Sequence, residues 1–271
     1  MDRLTNLKGV GVLITRPKCQ GERLAELIRR EGGDVVDFPV IEIAECLDKQ
    51  VILSALQTIP LPAIWIFVSP NAVLHAISYI HQVWPTLPND IEFVAIGEGT
   101  VKALHEHGFS IVHCPNEQFN TEGVLALPLL QNIAGKQIII IKGEGGRELL
   151  ASSLRGRGAK VTEVCVYKRI LPVLDVDNIL PSEIIRNINV VIITSAESLK
   201  NLLHLIGQKH RMWLLSKYLI VSSDRIAQLA SEQGFVSLPL IADNASDQAL
   251  ILALKKWKGE LNGTDTTQAN Q

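Results

Sequence analysis

Short apolar runs alternate with amphipathic segments along most of this chain. The runs that predict β-strands are 10–15, 35–40, 63–69, 92–97, 136–142, 161–167, 190–194 and 218–222. Most of them are followed by apolar residues at helical spacing, as in residues 21–30, a segment that Gly32 and Gly33 end. This alternation predicts an α/β fold with doubly wound parallel sheets that are covered by helices on both faces.

The chain also repeats itself once. Residues 9–41 align without a gap with residues 135–167, at an offset of 126 residues. Three further segments match at an offset of 125, namely 65–69 with 190–194, 95–100 with 220–225, and 120–125 with 245–250. Four matching segments in one order predict two structurally similar halves.

Two domain arrangements are compatible with this repeat. In the first, residues 1–36 and 173–260 form lobe 1, residues 42–165 form an inserted lobe 2, and 37–41 and 166–172 are hinge strands between them. In the second, two sequential domains divide near residue 130. The residues alone leave both arrangements open. The polar segment 261–271 is predicted to be a disordered tail.

The composition argues against several classes of function. Lys+Arg 26 against Asp+Glu 28 gives a net charge of −2, which leaves no basic surplus for a nucleic-acid backbone. The apolar runs are too short to cross a membrane, and residues 1–6 do not resemble a signal peptide, so a cytoplasmic protein is expected. Four scattered cysteines predict small buried side chains rather than disulfides or a zinc cage, and the histidine spacing does not favour a metal site.

Small, hydroxyl-rich loops follow most of the predicted strands. They lie at 15–17, 69–71, 97–100, 120–122, 142–147, 194–196 and 222–224. Each loop precedes a helix, so one interpretation is simple helix N-capping. The other is anion binding, because backbone N–H groups and the positive end of a helix attract carboxylates and phosphates. Several such loops together would suit a polyanionic ligand.

The familiar nucleotide and nucleophile motifs are missing from the sequence. The run from Gly143 to Gly146 follows a predicted strand, but Glu148 occupies the place of the third glycine in a dinucleotide loop. No Walker loop and no G-x-S-x-G elbow occurs. An enzyme built on this chain would therefore work by shape, electrostatics and positioning.

Tyr167 is the remaining candidate for chemistry. It is one of three tyrosines and lies at the predicted lobe crossing. A phenol can donate a hydrogen bond to a departing hydroxyl without first becoming charged. The alternative is a tyrosine that ends a strand with its hydroxyl in water.

The order and spacing of several short motifs resemble the uroporphyrinogen-III synthase family over about residues 9–255. The motifs are Ile-Thr-Arg-Pro at 14–17, Phe-Pro at 38–39, Phe-Val-Ser-Pro-Asn-Ala-Val at 67–73, Ala-Ile-Gly-Glu-Gly-Thr at 95–100, Glu-Gly-Val-Leu at 122–125, Gly-Arg at 146–147, Val-Tyr at 166–167, Ile-Thr-Ser-Ala at 193–196 and Val-Ser-Ser-Asp-Arg-Ile-Ala at 221–227. At 222–224 this chain has Ser-Ser-Asp where some members have a Gly-Pro-Thr-like turn.

The resemblance implies two α/β lobes joined by a two-stranded β ladder, with the chain ends sharing one lobe and the active site in the cleft between the lobes. It implies a lyase of heme and tetrapyrrole biosynthesis. Such an enzyme closes hydroxymethylbilane, with loss of water and inversion of ring D, to give uroporphyrinogen III. It implies no cofactor and no metal. The expected partners are this substrate and, transiently, the upstream hydroxymethylbilane synthase, with no nucleic acid and no membrane. A monomer is expected.

The resemblance also matches Tyr167 to the family's hinge tyrosine, as the residue that assists departure of the hydroxyl. The residues predicted to bind substrate are Ser69, Asn71, Gly97, Thr100, Lys142, Gly146, Arg147, Thr194, Ser195, Ala196 and Ser223. The alternative function is a non-catalytic bilobal receptor for a small polyanionic ligand. A third, a nucleotide-dependent transferase, needs a phosphate loop that the sequence lacks.

Overall fold

A computed structural model of the chain describes residues 6–46, 48–146 and 148–268. The strands are β1 (Gly11–Ile14), β2 (Asp34–Asp37), β3 (Glu42–Glu45), β4 (Ala63–Phe67), β5 (Ile91–Ala95), β6 (Val112–His113), β7 (Gln137–Gly143), β8 (Lys160–Ile170), β9 (Ile188–Ile193), β10 (Tyr218–Val221) and β11 (Leu240–Ile241). The helices are α1 (Lys18–Arg30), α2 (Lys49–Gln57), α3 (Pro70–Val83), α4 (Glu98–Glu106), α5 (Thr121–Ala126), α6 (Leu149–Gly156), α7 (Val176–Ile179), α8 (Ser182–Asn187), α9 (Ala196–Ile206), α10 (Arg211–Leu215), α11 (Asp224–Glu232) and α12 (Asp247–Gln268), with a 3₁₀ turn at Pro128–Leu130.

The strands form two sheets, and the predicted α/β class with two similar lobes is confirmed. The first sheet has the order β11-β10-β9-β1-β2, and the second has the order β3-β8-β7-β4-β5-β6. All neighbours in the first sheet pair in parallel, and so do β8-β7-β4-β5-β6 in the second. By the sequence offsets, β1 corresponds to β7, β2 to β8, β9 to β4 and β10 to β5, and β11 and β6 take the equivalent edge positions. Apart from the additional strand β3, the two sheets therefore have the same strand order, and each combines strands from both repeats.

Equivalent glycines mark the turns of the two repeats. Gly9 and Gly135 have φ angles of 77° and 75°, and Gly32 and Gly158 have 84° and 83°. Each pair is separated by the 126 residues of the sequence offset. A positive φ is a backbone conformation that side chains with a Cβ rarely adopt. The repeat therefore preserves turn geometry as well as hydrophobic pattern.

The chain divides into two compact units. Unit 1 is Met1–Glu42 with Ile170–Gln271, and unit 2 is Ile43–Arg169. In unit 2, Ile139 and Ile141 of β7 enter one buried cluster, and Ile138 and Ile140 enter another. Alternating side chains thus fill a core on each face of the second sheet, as expected for a parallel sheet between helical layers.

The crossing segments differ from the prediction in their bounds. Residues 38–41 are not in a strand, and β3 begins at Glu42. The reason is that Phe38 and Val40 donate their N–H groups to the carbonyls of Ile14 and Thr15, so this segment continues along the end of β1. Pro39 between them has no N–H to donate. In the second crossing segment, predicted at 166–172, the strand is the end of β8, which extends from Lys160 to Ile170 and lies beside β3. The lobe boundaries given from the sequence stay a prediction.

Two smaller expectations were wrong. The predicted tail is helical up to Gln268, because α12 is already nucleated by a packed first half and each further residue adds one hydrogen bond. Residues 269–271 lie outside the described residues. Cys19 is exposed, and Cys46, Cys114 and Cys165 are half-buried rather than buried.

Among the described residues, no helix is long and apolar enough to span a membrane.

Candidate functional site

A pocket of about 230 Å³ lies in unit 2, beyond the carboxyl ends of β4, β5 and β7. Six of its lining residues carry the polar chemistry or the space that shapes it: Ser69, Lys142, Gly143, Gly146, Glu163 and Tyr167. Ligands of open α/β sheets bind at this edge of the sheet. Of the predicted site residues, the structure thus brings Ser69, Lys142, Gly146 and Tyr167 together here.

Tyr167 is buried and hydrogen-bonded at one side of this pocket. The residue is 5% exposed, and its Oη lies 3.1 Å from Ser69 Oγ. The interpretation of a tyrosine with its hydroxyl in water is therefore wrong. The backbone carbonyl of Tyr167 also accepts a hydrogen bond from the N–H of Glu144 at 2.8 Å. The tyrosine is consequently held through both its side chain and its backbone.

A one-residue bulge directs the Tyr167 side chain. In the pairing of β7 with β8, Lys142 lies opposite Cys165, but the next residue, Gly143, lies opposite Tyr167. Val166 is therefore the additional residue. Strict alternation would place Tyr167 on the opposite face from Val166, yet both belong to the same buried cluster. Bulges commonly re-aim a side chain beside a functional site in this way.

Gly143 provides the space that the tyrosine ring occupies. A Cβ at Gly143 would lie 2.5 Å from Cζ and 2.9 Å from Oη of Tyr167. The φ angle of Gly143 is not in the left-handed region, so space rather than backbone conformation requires glycine here. Sequence reasoning missed this residue as part of the site. A glycine near the end of an otherwise apolar strand is the signal that could have found it.

His75 of α3 borders the other side of the tyrosine ring. The two ring centroids are 5.7 Å apart, and the planes are tilted by 30°. This contact was also missed, because the two residues are far apart in the sequence and nothing in the local pattern joins them. Together with Gly143 and Ser69, His75 limits where the ring can move.

A charged cluster forms the other polar side of the pocket. Lys142 Nζ lies 2.8 Å from Glu163 Oε2, and Arg155 Nη2 lies 2.9 Å from Glu163 Oε1. The hydrogen bond from Lys142 is the main reason that the pKa of Glu163 is below its usual value; burial opposes this effect and Arg155 adds to it. Arg155 does not line the pocket, but Lys142, Glu163 and Arg169 do, and these three carry a net charge of +1 when ionised, which favours an anion there.

Replacing Glu163 with Gln should reduce stability most at neutral pH. A lowered carboxyl pKa means that this ion-pair contribution is present above the ordinary value of 4.5 and is lost as the pH falls through the lowered value. The difference in unfolding free energy between the wild type and Glu163→Gln should thus shrink on acidification. Urea denaturation at a series of pH values measures it.

The matched control for that experiment is Glu106→Gln. It removes an exposed pair with Lys102, which should contribute little at any pH. A difference for Glu163→Gln that stays constant from neutral pH to well below 4.5 would contradict the assigned ion pair.

The remaining predicted residues of unit 2 lie near helix starts. Gly97 is the N-cap of α4 and has no side chain with which to bond the helix N–H groups. Asn71 is half-buried in the first turn of α3. Thr100 is 2% exposed, and its N–H donates to the carbonyl of Gly97 at 2.9 Å, so the structure does not present it to a ligand. None of these three lines the pocket. Arg147 lies outside the described residues.

The predicted residues of unit 1 follow β9 and β10. Ser195 is the N-cap of α9, and its Oγ accepts the N–H of Ser198 at 2.9 Å and lies 2.7 Å from Ser198 Oγ. Thr194 precedes this cap, and Ala196 is the first residue of the helix. Ser223 begins α11 without a capping hydrogen bond from its side chain. The Ser195 hydroxyl is thus engaged in capping, whereas the start of α11 keeps its N–H groups free of a side-chain cap.

Comparisons with known proteins concern the family and the fold. A family model described as "Uroporphyrinogen-III synthase HemD" matches residues 22–251. The chain is 36% identical over 250 residues to the uroporphyrinogen-III synthase of Escherichia coli K12. The alignment covers 91% of this chain and 100% of that protein.

Two solved structures share the fold. A mutant uroporphyrinogen III synthase from the extremely thermophilic bacterium Thermus thermophilus superposes with a TM-score of 0.59 at 17% identity, over 94% of this chain and 99% of that one. The uroporphyrinogen-III synthetase of Helicobacter pylori 26695 gives a TM-score of 0.55 at 18% identity, over 90% of this chain and 98% of that one. At these identities the likeness concerns the fold.

Proposed function

The chain belongs to the uroporphyrinogen-III synthase family, and on that premise we propose that it converts hydroxymethylbilane to uroporphyrinogen III and water. The substrate is a linear tetrapyrrole with eight carboxylates. The hydroxyl of its hydroxymethyl group leaves as water, the fourth ring is inverted, and the retained carbon of that group becomes the bridge that closes the macrocycle. The observation that carries the proposal for this chain's own residues is the buried Tyr167 hydroxyl beside the pocket of unit 2.

Tyr167 is the proposed catalytic residue. Its neutral phenol can donate a hydrogen bond to the departing hydroxyl as the carbon–oxygen bond breaks, which leaves an azafulvene cation on the substrate. The phenol needs no prior ionisation for this role. The 3.1 Å contact with Ser69 and the steric fit against Gly143 hold the phenol oxygen in one place.

Positioning is the larger contribution that the protein must make. Ring closure without an enzyme joins the azafulvene to the unsubstituted carbon of the fourth ring and gives the type I isomer. The type III isomer requires attack by the substituted carbon, which gives a spiro intermediate. The bond from that carbon to the bridge of the third ring then breaks, and the bridge carbon bonds instead to the unsubstituted carbon, which loses its proton. A fold that holds the two reacting carbons together lowers the entropic barrier to this attack.

The carboxylates of the substrate have suitable partners in each unit. In unit 2, Lys142 belongs to a cluster with a net positive charge, and α4 begins without a side-chain cap. In unit 1, α11 begins in the same way. The positive end of a helix stabilises a nearby carboxylate by about 0.3–1 kcal/mol. Because backbone groups make such contacts, substitutions of the neighbouring side chains should be well tolerated.

The isomer composition of the product tests this function. Purified protein is supplied with freshly generated hydroxymethylbilane, and the products are oxidised and separated by chromatography. Predominant type III product is expected. Type I product alone, formed at the rate without protein, would overturn the proposal and leave the alternative of a non-catalytic binding protein. Calorimetric binding of the substrate without turnover would then support that alternative.

Three further parts of the account are proposals that rest on the sequence and the resemblance. They are a monomeric state, a cytoplasmic location, and a transient contact with the upstream hydroxymethylbilane synthase that would hand over the unstable substrate. Sedimentation of the protein alone and with that enzyme tests the first and the third.

A further inference from the structure

The hydroxyl of Ser69 has two hydrogen-bonding partners among the described residues. As the N-cap of α3, its Oγ accepts the backbone N–H of Ala72 at 3.1 Å. The same Oγ lies 3.1 Å from Tyr167 Oη, where either hydroxyl could donate. One side chain therefore joins the start of a helix to the proposed catalytic phenol.

The direction of the Ser69–Tyr167 hydrogen bond decides what the phenol can do. A tyrosine has one hydroxyl proton. If Tyr167 donates that proton to Ser69, none remains for the substrate. If Ser69 donates instead, Tyr167 accepts through an oxygen lone pair, and its proton can point into the pocket.

The surroundings of Ser69 favour its hydroxyl as the donor. Its oxygen already accepts from Ala72, and accepting one hydrogen bond strengthens the hydroxyl as a donor. It also lies at the positive end of α3, a helix of 14 residues, where a partial positive charge disfavours a second incoming proton.

We infer that Ser69 is a positioning residue, which donates its hydroxyl proton to Tyr167 and so directs the phenol proton towards the leaving hydroxyl of the substrate. The sequence placed Ser69 among the substrate-binding residues, and this inference gives it a different role. It rests on the proposed function, since it assumes that Tyr167 donates to the substrate.

Neighbouring residues confine the Tyr167 ring and so keep its hydroxyl beside Ser69. The ring of Tyr167 lies against Gly143 on one side, where a Cβ would be 2.5 Å away, and His75 lies 5.7 Å from the ring centroid. With its ring held there, the phenol cannot rotate its oxygen away from Ser69 without displacing a neighbour.

A double-mutant cycle on Ser69 and Tyr167 tests the inference. The variants are Ser69→Ala, Tyr167→Phe and the two combined, and the readouts are kcat and KM for type III product. We expect Ser69→Ala to lower kcat about tenfold with little change in KM, because only the orientation of a proton donor is lost. In the Tyr167→Phe background, the same change should lower kcat no further.

Two conservative variants separate the hydroxyl from the helix cap. Ser69→Thr keeps both and should retain most of the activity. Ser69→Gly weakens the cap much less than Ser69→Ala does but also has no hydroxyl, so its kcat should fall as far as that of Ser69→Ala.

Asp48→Ala is the matched control for stability. Asp48 caps α2 by accepting the N–H of Val51 at 3.1 Å, which resembles the cap at Ser69 without the tyrosine contact. This variant should lose a similar amount of stability and keep wild-type kcat.

Three results would overturn the inference while leaving the proposed function in place. They are additive losses in the cycle, a raised KM with unchanged kcat for Ser69→Ala, and full kcat for Ser69→Gly. The wild type in the same assay tests the function separately, since a failure to form type III product would overturn both.

Discussion

Tyr167→Phe should lower kcat for type III product about a hundredfold, with KM within about threefold of wild type, which is the scale of a lost general acid. The ring and its packing against Gly143 are retained, and only the hydroxyl is removed. The loss therefore reports proton donation to the leaving group rather than folding of the substrate. Steady-state kinetics with separation of the two isomers measures it.

The isomer composition of the product formed by Tyr167→Phe separates the role of the phenol from the role of substrate positioning. The slow enzymatic reaction should still give type III, while the competing reaction in solution adds type I. Tyr79→Phe is the matched control, because Tyr79 is 8% exposed in the same buried cluster but does not line the pocket. Unchanged kcat for Tyr167→Phe would move catalysis away from the phenol and leave positioning alone.

Gly143→Ala should have a comparably large effect through the same tyrosine. The new methyl would lie 2.5 Å from Cζ of Tyr167, which is shorter than any ordinary contact, so the ring must move. Overpacking of this kind costs about 1–3 kcal/mol of stability. We expect a lower midpoint of thermal unfolding and a fall in kcat of about a hundredfold, because a displaced phenol no longer meets the leaving group.

A control and a second background make the Gly143 experiment specific. Gly156 is the last residue of α6, and a Cβ there would meet no heavy atom within 4 Å, so Gly156→Ala should be neutral or stabilising by up to about 1 kcal/mol. In a Tyr167→Ala background the ring is absent, and Gly143→Ala should cost no further stability. Full stability and wild-type kcat for Gly143→Ala alone would contradict the described packing.

The sheets could be predicted because their signal is local. Residues 138–141 form a continuous apolar run, and they occupy most of β7. Fully buried strands of this type are recognisable from composition and length. In contrast, β6 and β11 have two residues each, too few to show any periodicity. The apolar residues 38–41 resemble a strand in sequence, but Phe38 and Val40 bond to the end of β1 and the segment is not a strand.

The site was only partly predictable because its geometry depends on pairing between strands. Tyr167 and Ser69 could be named from their places after apolar runs. The bulge at Val166 could not be predicted from the sequence, because the register of β8 is set by its contacts with β7. The pairing of Lys142 with Glu163 joins residues on adjacent strands, and neither shows the contact in its own neighbourhood. The full burial of Thr100 likewise depends on packing that a hydroxyl residue at a helix start does not reveal.

Inversion of the fourth ring is the central claim, and carbon labelling tests it most directly. Hydroxymethylbilane is prepared with ¹³C both at the hydroxymethyl carbon and at the substituted α-carbon of the fourth ring, and the product is examined by NMR. Inversion joins these two carbons, so the account predicts a one-bond carbon–carbon coupling in the product formed by the wild type. A product without that coupling would mean closure at the unsubstituted carbon, and it would contradict the account.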